Sequence, residues 1–164
     1  MMDNTCVVVA GSGRARIFLL EESAAPRAAV RLLERGTLSN ADLRSRGRSV
    51  TGRVRTETNT NREAGPVHPM GAQRERHRIE LERRFSVEVA RKAAALARNW
   101  ATGSVVIVAD PRMLGFLREA VRVALTPGIQ VKELAKDYAH LTASRLRDHL
   151  TEDGVLPARR GSAT

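Results

Sequence analysis

TCVVVA (Thr5–Ala10), GSG (Gly11–Gly13) and RARIFLL (Arg14–Leu20) decide the fold. The first is an unbroken apolar run, the pattern of a strand buried on both faces. The second turns the chain. In the third, Ala15, Ile17 and Leu19 alternate with Arg16 and Phe18, as a partner strand requires. A polar break containing Pro26 leads to a third strand at about Ala29–Leu38. Three strands joined by short turns imply an antiparallel meander.

Farther along, the period changes. Leu81, Phe85, Val89, Ala93, Leu96 and Trp100 recur at steps of four and three, one apolar stripe on a long helix from about Gln73 to Trp100. Arg83, Arg84, Arg91, Lys92 and Arg98 fall on its other faces. SVVIVA (Ser104–Ala109) is a second buried strand. Asp110 and Pro111 then start a helix as N-cap and first helical residue, and Leu114, Leu117, Val121 and Leu125 give it a buried face. Thr126-Pro127-Gly128 stops it. A short strand at Ile129–Leu134 and a helix at Thr142–Glu152 complete the order βββ, loop, α, β, α, β, α. That order specifies an α/β class, a single domain with a mixed five-stranded sheet flanked by helices. The domain is expected over residues 1–155, with Leu156–Thr164 as a frayed tail.

Between the two patterned halves lies RSRGRSVTGRVRTETNTNREAGPVHPMGAQRERHR (Arg44–Arg78). Nine arginines (Arg44, Arg46, Arg48, Arg53, Arg55, Arg62, Arg74, Arg76, Arg78) stand against three glutamates (Glu57, Glu63, Glu75). The segment has few apolar residues, several Gly and Pro breaks and no usable period, so residues 44–72 read as a flexible basic loop. The chain as a whole carries +10. Such a charge points to an acidic partner, with RNA or the ribosome first and an acidic protein or anionic membrane surface as alternatives. Arginine outnumbers lysine 25 to 3, which is also what a biased coding composition produces. Aromatics at 3% argue against single-strand binding by base stacking.

Chemistry is harder to find. Cys6 lies inside the first apolar run and reads as a core residue; a single cysteine allows no internal disulfide. His68, His77, His140 and His149 contain no i, i+4 pair, so no zinc site is expected. Gly11-Ser-Gly13 precedes a strand, not a helix N-terminus, and reads as a hairpin turn rather than a dinucleotide loop. The run Thr5–Ala10 bears no acid for two-metal phosphodiester cleavage, and no Gly-x-Ser-x-Gly elbow is present. No cofactor is expected. Neither a signal peptide nor a membrane-spanning run is apparent, so the expected location is the cytoplasm. What is left is Gly71-Ala72-Gln73, at the tip of the basic loop immediately before the long helix.

VVVAGSGRARIFLLE (Val7–Glu21), RRFSVEVARKAAALA (Arg83–Ala97), VVIVADPRMLGFLREAV (Val105–Val121) and VKELAKDYAHLTASRLRDHL (Val131–Leu150) together resemble a bacterial family of host-attachment proteins. That family in turn resembles the middle domain of archaeal and eukaryotic translation release factors, a ribonuclease-H-like mixed sheet. The resemblance implies a Gly-Gly-Gln loop before a long helix with an early Arg-Phe pair. Here Gly71-Ala72-Gln73 and Arg84-Phe85 fall at those places. In release factors the loop enters the peptidyl-transferase centre and positions water on the peptidyl-tRNA ester, which would make Gln73 the catalytic candidate. Ala72 departs from the pattern. If its position required a glycine-only backbone, the alanine would cost on the order of 1–3 kcal/mol. Three expectations follow: a non-enzymatic RNA- or ribosome-contacting module, an attachment-related protein or membrane binder, and an ester hydrolase using Gln73.

Overall fold

The computed structural model describes residues 4–22, 30–41 and 68–157. Among these, five strands form one open mixed sheet: β1 (Asn4–Ala10), β2 (Arg14–Glu22), β3 (Val30–Ser39), β4 (Gly103–Ala109) and β5 (Ile129–Ala135). Their order is β3-β2-β1-β4-β5. Helices α1 (His68–Leu96), α2 (Pro111–Ala124) and α3 (Ala143–Glu152) flank the sheet.

The meander forms as the turn residues imply. β1 and β2 pair antiparallel, and the Gly11 N–H donates to the Arg14 carbonyl at 2.8 Å to close the turn between them. β2 and β3 are also antiparallel, with a bulge where Ile17 passes to Phe18. β1 with β4, and β4 with β5, are parallel. β2 therefore runs against the other four strands.

Alternation assigns each face of the sheet. Cys6, Val8 and Ile107 point to the side where α1 and α2 supply Phe85, Val89 and Leu117. Val7, Val9, Val106 and Val108 point to the other side and meet Leu146 and Leu150 of α3. β1 and β4 are thus covered on both faces, which is why their sequences are unbroken apolar runs. Each such side chain contributes about 1.5–3 kcal/mol on burial. The two strands also approach closely at their starts. A Cβ at Gly103 would lie 2.6 Å from the Asn4 carbonyl, so only glycine fits there.

One strand's packing and three boundaries differ from the sequence expectation. β2 packs on both sides, because Phe18 and Leu20 are buried against the α3 layer while Ala15 and Ile17 face α1. α1 begins at His68, not Gln73. Pro69 is compatible with a first turn, where its missing N–H needs no partner. Consequently Gly71, Ala72 and Gln73 lie within the helix rather than at a loop tip. The same helix ends at Leu96, and Trp100 packs on the core from the turn beyond it. Leu156 is buried, and its N–H donates to the Leu150 carbonyl, so this first residue of the expected tail belongs to the packed domain.

Candidate functional site

α1 continues directly from the arginine-rich segment. Arg44, Arg46, Arg48, Arg53, Arg55 and Arg62 lie outside the described residues, whereas Arg74, Arg76 and Arg78 are exposed on its early turns. Gly71 and Gln73 are exposed beside them and Ala72 is half-buried. Leu81 is the first described residue of the helix to enter the core. The preceding turns, Gly71 to Glu80, read GAQRERHRIE and stand largely in solvent. No acidic residue occupies the first turn. The positive end of the helix dipole and the arginines that follow therefore act in the same direction. For stability this is unfavourable; for an approaching anion it is favourable.

Three of the helix's acids, Glu75, Glu80 and Glu82, are held by arginines, and of these Glu82 alone is buried. Arg112, the second residue of α2, donates through Nη2 to Glu82 Oε1 at 2.7 Å and through Nη1 to Glu75 Oε1 at 3.0 Å. Arg78 Nε lies 3.4 Å from the same Glu82 oxygen. Glu80 pairs with Arg83 and Arg84. The hydrogen bond to Glu82, more than the one to Glu75, raises the Arg112 guanidinium pKa above its ordinary value. Among the described residues Arg76 has no ion-pair partner, and its side chain is exposed.

Local sequence explains how Arg112 gets there. Asp110 ends β4 and caps α2, its Oδ1 accepting from the Arg112 and Met113 N–H groups at 3.0 Å each. Pro111 fixes the first helical residue. Arg112 is thereby carried over the carboxyl ends of β1 and β4, facing α1. Asn40 braces the same end: its Nδ2 donates to the Ser12 and Leu81 carbonyls, and its N–H to the Gly13 carbonyl.

Sequence reasoning missed Glu82 and Ser86, both fully buried. A signal was present. The positions 82, 86, 90 and 97 form a second column beside the apolar stripe, and Ala90 and Ala97 in it are buried. Ser86 is satisfied by donating to the Glu82 carbonyl at 2.9 Å. Glu82 Oε2 has no hydrogen-bond partner among the described residues.

Gln73 is exposed on regular helix, and no non-glycine residue among those described has a positive φ. The backbone at Ala72 is therefore unstrained in this conformation, and the glycine-only penalty does not arise. Cys6 is buried, and desolvation pushes its thiol up to about 12, which removes it as a nucleophile at neutral pH. Among the described residues no group of three or more His, Cys, Asp or Glu is placed to hold a metal. No described helix is long and apolar enough to cross a membrane.

A search of the curated proteins found no match to the chain. A family model does match: it covers residues 6–150, from β1 to the end of the core of α3, and is described as protein required for attachment to host cells. With a match of that extent, the chain belongs to this family of host-attachment proteins.

Proposed function

We propose that this host-attachment-family protein is a non-enzymatic module that holds RNA, the ribosome being the favoured source, through the arginines of residues 44–78. The observation that carries the proposal is the start of α1. There Arg74, Arg76 and Arg78 are exposed on a helix without acid in its first turn, continuing a segment already rich in arginine. Phosphate groups are recognised by such clusters, and each neutralised phosphate releases counterions. In this reading the sheet is a scaffold and Arg112 holds the first turns of α1 in place.

The likeness to release-factor middle domains is part of the same proposal. The sheet order β3-β2-β1-β4-β5, with β2 reversed, supports a ribonuclease-H-like reading, as does the long helix entered from a basic segment. Action in the cytoplasm goes with an RNA partner, and the attachment role described for the family would then be indirect. Regular helix at Gly71-Ala72-Gln73 favours binding over ester hydrolysis. A Gln73→Ala protein that kept any ester-cleaving activity would remove Gln73 from such chemistry.

The family description favours a second reading, an attachment-related protein whose basic segment binds an acidic protein or an anionic membrane surface. One titration separates the two. Structured RNA and anionic vesicles are each added to the wild-type chain and to a variant with Arg46, Arg48, Arg53 and Arg55 replaced by glutamine. RNA affinity that falls at least ~tenfold in the variant, with the melting temperature unchanged, supports the proposal. Unaltered RNA affinity, or binding to vesicles alone, contradicts it.

A further inference from the structure

On the outer side of α1 and α2, away from the sheet, lies a groove of about 450 Å³. Val87, Phe116, Ala120 and Val123 line it. Val123 is 88% exposed and Val87 38%, two of the three large apolar side chains that the described residues leave in water. Helix periodicity explains the arrangement: Phe85, Val89, Leu117 and Val121 are spent on the sheet side, Phe116 and Ala120 pack at the edge of that core, and Val87 and Val123 face away from it. A solvent-facing valine at that exposure contributes nothing to the core.

The rim is charged unevenly. α1 contributes Arg83 and Arg91, whereas α2 contributes one acid, Glu119. Arg83 lies over the Phe116 ring, 5.5 Å from its centroid, and is held there by Glu80. Arg91 has no ion-pair partner among the described residues. A second copy of this chain would bring another +10 to a basic rim, so self-association is disfavoured by charge. An apolar floor between two helices with a basic rim fits the apolar stripe and acidic flanks of an amphipathic helix.

We infer that the α1–α2 groove docks an acidic amphipathic helix of a partner protein. Val87, Phe116 and Val123 receive its apolar stripe, and Arg83 and Arg91 pair with its carboxylates. The surface is separate from the early turns of α1, and the inference stands independently of RNA binding.

The test uses the full-length chain, isotope-labelled, with a synthetic helical peptide of about four turns as probe. The peptide carries leucine at i, i+3, i+4 and i+7 and glutamate elsewhere; a control replaces each glutamate with lysine. Saturable binding of the acidic peptide is expected, with amide shifts centred on Val87 and Val123. Val123→Glu should weaken it at least ~tenfold and Arg91→Glu several-fold, with little change in melting temperature because both side chains are exposed. Four results would overturn the inference: no saturable binding, equal binding of the lysine peptide, the same resonances shifting with structured RNA instead, or a dimer that Val123→Glu dissociates.

Discussion

Arg112 Nη2 lies 2.7 Å from a carboxylate oxygen of Glu82 that is wholly buried, and the same guanidinium reaches Glu75 two turns earlier. One side chain thus fixes the start of α2 to the exposed beginning of α1. Arg112→Leu should destabilise the protein by about 1–3 kcal/mol, because it strands a buried charge. The effect stays below that of a fully buried pair: the Arg112 side chain is 43% exposed and Arg78 still faces Glu82. Urea unfolding at neutral pH measures the loss. Adding Glu82→Leu to the same protein should restore most of it, and a double variant no better than the single would refute the clasp.

The contact of β1 with β4 predicts the behaviour of Gly103. A methyl group there meets the Asn4 carbonyl at 2.6 Å and the Trp100 ring at 3.0 Å. Gly103→Ala should cost about 1–3 kcal/mol through strand displacement. A midpoint equal to wild type in denaturant would show that the strands do not pair in this register.

Much of this fold was legible because β1 and β4 announce themselves. Only a strand covered on both faces tolerates TCVVVA or SVVIVA, and Asp110-Pro111 marks the following helix by cap chemistry. The start of α1 was not legible, since Pro69 and Gly71 read as breaks although Pro in a first turn costs no hydrogen bond. The Arg112–Glu82 pair was hidden for a different reason. It joins residues 30 positions apart on two helices; the small-residue column that Glu82 shares with Ser86 and Ala90 marks a buried face, but nothing local names Arg112 as the partner. Of the candidate site, Arg74, Arg76 and Arg78 could be read as charge alone. That the one acid among them, Glu75, is paired with Arg112 needed the packing.

Stability should respond to acid through Glu34. Hydrogen bonds from Arg16 and then Thr37 hold its carboxyl below the ordinary glutamate range. A lowered folded-state pKa means stability that is present above the unfolded value, about pH 4.3, and is lost as pH falls through the folded one. Glu34→Gln should therefore lower the melting temperature at neutral pH, and the gap should close on acidification below about pH 4. A gap that stayed constant to low pH would assign the effect to packing instead.

Cys6 offers a probe of the core. Its burial and its thiol pKa of about 12 predict no reaction with a thiol reagent in the folded protein at pH ~8. Labelling should appear only with denaturant, at the rate of global unfolding. Fast labelling of the native chain would mean that β1 is not the centre of the sheet.

Co-sedimentation of the tagged protein with ribosomes and RNA from its own cells, at low and high salt and with or without nuclease, tests the central proposal most directly. The proposal predicts recovery with ribosomes or RNA at low salt, loss at high salt because counterions compete for the arginines, and loss after nuclease. Protein that stays free of nucleic acid at low salt would contradict it.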